Sequence, residues 1–328
     1  MRIARALCSL ALLLMLQAAT TAHAQDLVRG RELYRSICAT CHGINPVGGS
    51  PARVANNPQG LLVATQTIEQ MRFLANALNA QDRIDVTAWI GSVVPTITPQ
   101  SGWYWNPAQS GRGFFIELRD GFVFMAGFHY VAEGAATWFA AQGPLVNGRL
   151  TSPIYLFEGG PSLTGNYIAP RALASPGNIT VDFLSATTAR LSWLGESIAL
   201  SRFPVAGSIP TLPPQPGAPE SGWWWNASES GRGFAIEFQA DQVFIASFMY
   251  EDDGPPTWYV AQGTMQSPTR FEGNWLAFVD GQTQGAPYRA PTRVQPDAGP
   301  LVLTFSDSRH AVLILPDGRE VALVRFAF

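Results

Sequence analysis

One stretch of this chain is written twice. Ser101 to Gly143 aligns with Ser221 to Gly263 without a gap, and more than half of the positions are identical. SGWYWN answers SGWWWN, SGRGFFIE answers SGRGFAIE, and ATWFAAQG answers PTWYVAQG. A repeat of this kind requires two copies of one fold, so any architecture must accommodate the same unit twice. Within each copy apolar and polar residues alternate in short runs, which is the period of a strand. In the first copy the runs fall near 102–106, 113–118, 122–131, 136–143, 150–157, 178–184, 188–194 and 197–204. Turn signals separate them at Asp120-Gly121, Glu133-Gly134, Asn147-Gly148 and Leu194-Gly195. The second copy offers the same number of strands, with Asp253-Gly254 and Asp317-Gly318 as turns. The expectation is two all-β domains, 101–204 and 221–328, joined by a Pro-rich spacer over 205–220. About eight sequential strands in ~100 residues predict an up-and-down barrel, which removes exposed edges, with a β-sandwich as the runner-up.

The residues common to both copies are candidates for a site. Asn106/Asn226, Arg112/Arg232, Glu117/Glu237 and Gln142/Gln262 could line a polar site beside Trp138/Trp258. The structural alternative is stronger: Gly and Trp serve turns and core, and an Arg–Glu pair satisfies buried polar groups. On that alternative Trp103, Trp138, Trp223 and Trp258 are buried, with the Arg and Glu facing each other inside. Alternation sends Tyr104 and Trp224 to the face opposite their neighbours, which predicts an outward, partner-facing pair. The opening Gly-Trp segment with the late Arg202 and Arg325 resembles the calycin arrangement, in which a last-strand Arg packs on a first-strand Trp. The Trp-Asn…Ser-Gly-Arg-Gly-Phe block resembles a repeat of exported proteobacterial proteins. The chain has no Ser-His-Asp set and no phosphate loop, and Glu251-Asp252-Asp253 reads as a solvated turn.

Ahead of the repeats stands Cys38-Ala39-Thr40-Cys41-His42. Cys-x-x-Cys-His is the attachment pattern of a covalent c-type haem. Two thiols on one helical turn reach the two vinyl groups, and the histidine that follows supplies an axial nitrogen to the iron. Three other readings stand beside it. A zinc site needs about four ligands, and apart from Cys8 there is no third cysteine. A redox dithiol expects a preceding strand, whereas Leu27 to Ile37 has helical spacing. A structural disulfide leaves His42 and Met71 without a role.

The first 24 residues read as a secretory signal peptide. Arg2 and Arg5 precede an apolar run from Ala6 to Leu16, and Ala22-His23-Ala24 forms a small-x-small cleavage site. At about 11 residues the run is too short to span a bilayer, and no transmembrane segment is expected later. The expected location is therefore exported, periplasmic first and secreted second. The 328 residues carry a net charge of −3, which falls to −5 when Arg2 and Arg5 leave, and the chain contains no lysine. That excludes the basic stripe of a nucleic-acid binder.

Residues 25–95 resemble a small class I cytochrome c. Leu27, Gly30, Leu33, Tyr34 and Ile37 lead into the motif, Gly43 to Gly60 is rich in Gly, Pro and Asn, and a last helix is predicted over Gln81 to Val93 with Asn79 as its cap. The resemblance implies a small all-α cytochrome c domain with Gly30 at a close helix crossing and Trp89 as the usual aromatic. A short linker, 96–100, would follow it. It implies one covalent haem c held by Cys38 and Cys41, with His42 and Met71 as the axial ligands of its iron. Met71 is the only Met, with no His or Cys, between Gly43 and Gln100, though it could equally serve as core. The function expected is electron transfer rather than catalysis, with an unidentified redox partner protein and a possible ligand for the β domains. A peroxidase-like haem enzyme and a glycan- or matrix-binding protein with an accessory haem are the alternatives.

Overall fold

The computed structural model describes residues 24–46, 50–94, 97–252 and 254–328. The signal peptide up to His23, with Cys8 and most of the cleavage site, lies outside the described residues, as do the start of the 96–100 linker and Asp253. The chain divides into two compact units, one up to residue 96 and one from Ile97 to Phe328.

The first unit is helical but slight. Its elements are α1 (Leu27–Leu33), a π-helical segment Tyr34–Cys38, α2 (Ala39–His42), α3 (Pro58–Thr67), α4 (Leu74–Ala77) and α5 (Ala80–Val93). Asp26 caps α1 by accepting from the Arg29 N–H. Asn79 and Asp82 cap α5 reciprocally, each side chain accepting from the other's backbone N–H. α1 and α5 approach closely at Gly30, where a Cβ would stand 2.0 Å from the Asp85 carbonyl oxygen. Tyr34, Leu61, Leu74, Val86, Trp89 and Ile90 are buried together, while Val93 is more than a third exposed. The small all-α cytochrome c domain expected over 25–95 is overturned: the chain is mostly β, and its few, short helices do not build an all-α domain of any size. The physical cause is legible locally. The first helix changes to π winding at Tyr34, and the Gly-, Pro- and Asn-rich segment before α3 carries only a 3-10 turn, Ser50–Val54, among its described residues.

The second unit contains two barrel-like antiparallel sheets of eight strands each. The first copy supplies β1 (Gly102–Trp105), β2 (Gly113–Arg119), β3 (Phe122–Tyr130), β4 (Ala136–Pro144), β5 (Arg149–Pro153), the short hairpin β6 (Phe157–Glu158) and β7 (Arg171–Ala172), then β8 (Asn178–Phe183), β9 (Thr188–Trp193) and β10 (Glu196–Arg202). The second repeats them as β11 (Gly222–Trp225), β12 (Gly233–Gln239), β13 (Gln242–Tyr250), β14 (Pro256–Thr264), β15 (Arg270–Trp275), β16 (Phe278–Val279), β17 (Thr292–Arg293), β18 (Gly299–Phe305), β19 (His310–Ile314) and β20 (Glu320–Arg325). Each large sheet runs in sequence order and closes first strand on last, β1 on β10 and β11 on β20, leaving only the junctions β4/β5 and β14/β15 without a ladder. Asp120, Asn147 and Leu194 adopt positive φ just before Gly121, Gly148 and Gly195, as tight hairpins demand.

The two faces of the strands have different destinations. Tyr104, Phe114, Ile116, Met125 and Phe139 fill the interior of the first barrel. Their alternates, Trp103, Phe115, Ala126, Phe128 and Trp138, point outward and join one core with the second copy. Both faces are therefore buried, which is why β2, β3, β12 and β13 are almost continuously so. The expected outward placement of Tyr104 and Trp224 is overturned: both are fully buried inside their barrels. The alternation is as expected, but closure of the sheet makes that face the interior. Trp103, Trp138, Trp223 and Trp258 are all buried. The Pro-rich segment between the copies is anchored in part. Val205 is buried with its N–H donating to Gln239, and Pro214 bridges to Ala240.

Candidate functional site

Cys38 ends the π segment, and Cys41 and His42 close α2, after which Gly43 turns the chain away at φ 78°. Three residues apart on helical backbone, the two sulfurs project to one side. Both thiols are free, Cys38 buried and Cys41 exposed, and the His42 side chain is half-buried. Burial, with a smaller contribution from Cys41, pushes the Cys38 thiol up to about 11. Met71 ends a 3-10 turn, Glu69–Met71, and packs half-buried against the cluster that contains Cys38 and Tyr34.

These residues fit a covalent porphyrin. The donor set matches in type, since two free thiols and an imidazole lie within five residues and a thioether packs on the same cluster. The Tyr34 hydroxyl is buried there without a hydrogen-bond partner among the described residues. Ile44 beside the motif and Ile68 and Phe73 beside Met71 are exposed apolar side chains of the sort a flat apolar group would cover. Among the described residues no three His, Cys, Asp or Glu gather where they could hold a bare metal ion.

In the β unit the shared polar residues do not form one site. Asn106 and Asn226 each accept from the backbone N–H two residues on and shape the turn after the first strand. Gln142 and Gln262 are exposed. Glu117 and Glu237 are buried and bonded across the copies. Arg202 of the first copy pairs with Glu237 of the second, and Arg325 of the second pairs with Glu117 of the first at 2.7 Å. The same carboxylates accept the N–H of Trp103 (2.6 Å, from Glu237) and of Trp223 (2.9 Å, from Glu117). The arginines also donate to the Trp103 and Trp223 carbonyls. Their guanidinium carbons lie over the rings of Tyr104 and Trp224, at 5.4 and 5.9 Å. A last-strand Arg on a first-strand ring is thus present, although in the first copy the ring is a Tyr. Gly102 and Gly222 make the approach possible, since a Cβ on either would collide with the guanidinium.

The Trp pair is exchanged in the same way. Trp138 Nε1 donates to the Met249 carbonyl at 2.9 Å, and Trp258 Nε1 donates to the His129 carbonyl at 3.2 Å. Arg112 and Arg232 stand apart from the two shared glutamates. Arg112 forms a bidentate pair with Glu196, both contacts 3.0 Å, while Arg232 meets Glu229 at 2.6 Å. Sequence reasoning missed Tyr130 and Tyr250, although both lie inside the aligned block and could have been taken from it. Glu196 has no repeat signal and is visible only in three dimensions. Neither a known protein family nor a curated protein matches the chain.

Proposed function

We propose that the protein is an exported electron carrier that holds one covalent c-type haem through Cys38 and Cys41. The observation that carries this reading is two free thiols one helical turn apart with His42 directly after them. Cys38 and Cys41 would hold the haem by two thioether bonds, formed by addition of each S–H across one vinyl group. His42 and Met71 would hold the iron through an imidazole nitrogen and a thioether sulfur. When bound, the haem supplies a one-electron couple whose potential a Met/His pair raises. The polypeptide's part would be to fix the porphyrin by two bonds and to hold Met71 in the apolar cluster with Tyr34 and Leu74. The reading requires export to the periplasm, because this haem is attached outside the cytoplasm, and the residues preceding Gln25 support it. No helix among the described residues is long and apolar enough to cross a membrane. The partner on this reading is another redox protein.

Haem staining of a denaturing gel, after expression with the maturation machinery, tests the attachment. The band should stain in the parent and lose its stain in Cys38→Ala/Cys41→Ala; an unstained parent ends the reading. Met71→Ala should abolish the weak far-red sulfur-to-iron band of the oxidised protein and lower its potential. An unchanged spectrum would return Met71 to core packing and favour an enzyme with an open iron.

A further inference from the structure

The reciprocal Arg–Glu pairs and the exchanged indoles are not the only contacts that occur twice with the β copies exchanged. The Gly159 N–H donates to the Gly254 carbonyl, and the Asp280 N–H donates to the Gly134 carbonyl, both at 2.7 Å. Phe124 meets Trp223 edge-on at 5.0 Å, and Phe244 meets Trp103 edge-on at 5.2 Å. The segments that join β6 to β7 and β16 to β17 cross over in the same manner. Pro170 lies against Gly231 with Tyr167 beside Ser230, and Pro291 lies against Gly111 with Tyr288 beside Ser110. A surface on which i meets j while j meets i is the isologous kind that two identical subunits form about a two-fold axis.

One copy offers this surface everything that the other does. The side chains in the paired contacts are identical in both copies, and the residues that differ supply only backbone atoms. His129 and Met249 each give a carbonyl, and Gly159 and Asp280 each give an N–H. Some contacts have no twin, such as Ser162 with Asp252. Glu196 and Arg319 also differ, but they too take backbone partners, the Gly285 N–H at 3.0 Å and the Gly165 carbonyl at 2.6 Å. The spacer, for its part, is longer than its junction requires. It leaves from Arg202, which pairs with Glu237, and returns to Ser221, whose hydroxyl accepts from the Phe238 N–H at 3.0 Å. Neighbouring residues of β12 thus mark both ends, although 16 residues extend to about 50 Å. Thr211 to Gly217, in its middle, is exposed.

We propose that the face each copy turns to the other is a self-recognition surface, and that the partner it fits is any second copy of the same repeat, on this chain or on another. Within one chain the tether raises the effective concentration of the attached copy, so that copy wins. Once the tether is cut, the same face holds the halves together and accepts a like half in place of its former neighbour. In a pair of first copies, each Glu117 meets the other chain's Arg202, and each Trp138 meets the other chain's His129 carbonyl. This inference stands independently of the haem.

The test uses the full-length protein with a specific protease site inserted between Thr211 and Leu212, prepared with either of two N-terminal tags. Nicked while folded, it should elute from gel filtration at the size of the intact chain at micromolar concentration. Glu237→Ala should weaken the nicked pair by about a hundredfold or more, read as dissociation on dilution. The two tagged, nicked proteins are then mixed, unfolded in urea, refolded and captured on one tag. The other tag should be recovered with it, because first halves pair with each other as well as with second halves. Glu117→Ala in both first halves should abolish that recovery, since it removes both ion pairs of a first-half dimer; contact through the helical unit would survive the change. Separation of the halves on nicking, precipitation of the refolded mixture, first halves bound only to second halves, or recovery indifferent to Glu117→Ala would each overturn the proposal.

Discussion

Copy one holds His129 where copy two holds Met249, Trp193 where copy two holds Leu315, and Glu196 where copy two holds Arg319. His129, Trp193 and their counterparts face the copy's own barrel, whereas Glu196 accepts from the Gly285 N–H and Arg319 donates to the Gly165 carbonyl of the other copy. The His129 ring packs edge-on against Trp193, with centroids 4.6 Å apart, and its Nδ1 lies 3.1 Å from the Tyr130 carbonyl. Five pairs of residues that cross between the copies are the same in both: Trp103/Trp223, Glu117/Glu237, Tyr130/Tyr250, Trp138/Trp258 and Arg202/Arg325. Constraint therefore concentrates where the copies meet. An interior can be refilled one barrel at a time, since a compensating change has only to conserve volume. A reciprocal contact cannot, because each residue must suit a partner encoded in the other copy.

The contrast is most exposed to test at the buried ion pairs. Glu237→Ala leaves Arg202 buried without a carboxylate and should cost about 3–5 kcal/mol in a denaturant melt. Glu117→Ala should cost less, because Arg325 retains Glu220 at 3.4 Å. Equal losses would mean that Glu220 contributes nothing, and a negligible loss at Glu237 would mean that the pairs do not join the copies.

At the position of His129 and Met249, acid should act on one copy alone. Burial pulls His129 down to about 3, against the small opposing effect of its bond to the Tyr130 carbonyl. An unfolded histidine titrates at ~6.5, so below that pH the unfolded chain takes up a proton that the folded chain refuses. The His129 contribution is intact above about pH 6.5 and lost as pH falls toward 3, at up to about 1.4 kcal/mol per pH unit. At about pH 4 the loss should amount to roughly 3 kcal/mol. His129→Met, which copies the second repeat, should remove that component from the stability–pH curve. A curve of unchanged slope would refute it.

Gly102→Ala and Gly222→Ala should each cost roughly 1–3 kcal/mol, from a strained positive φ and a displaced guanidinium. Thermal melts of the two should agree closely, since the geometry is alike at φ 134° and 143°. The smallest effect belongs to the exchanged indoles. Trp138→Phe and Trp258→Phe each remove one bond to a carbonyl of the other copy, and each should cost about 1–2 kcal/mol once the lost ring volume is included. A double variant less destabilised than the sum would reveal coupling across the interface.

Much of the β unit is legible in the sequence. The strand spans, the hairpins at Asp120-Gly121 and Asn147-Gly148, and the burial of the four repeated Trp follow from period and turn chemistry. The close crossing at Gly30 is what the family resemblance implies, while the Asn79 cap is legible too. The size of the helical unit is not, because the resemblance of Leu27–Ile37 and Gln81–Val93 to a known family implies an all-α domain that short, interrupted helices do not make. Tyr104 and Trp224 are misplaced by the sequence for a different reason. Alternation assigns residues to two faces but does not say which face is inside.

Local structure followed from the sequence alone, since hydrogen-bonded period and turn residues depend only on neighbours along the chain. The same holds for the sharing of one turn of helix by Cys38, Cys41 and His42. What the outer faces meet, and which carboxylate each arginine takes, were settled in three dimensions. Two copies of one motif present two equivalent Arg and two equivalent Glu, so pairing within a copy and pairing between copies satisfy the same pattern. Closure of each sheet placed Tyr104 and Trp224 inside, turned Trp103 and Trp223 toward the neighbouring copy, and broke that tie in favour of exchange.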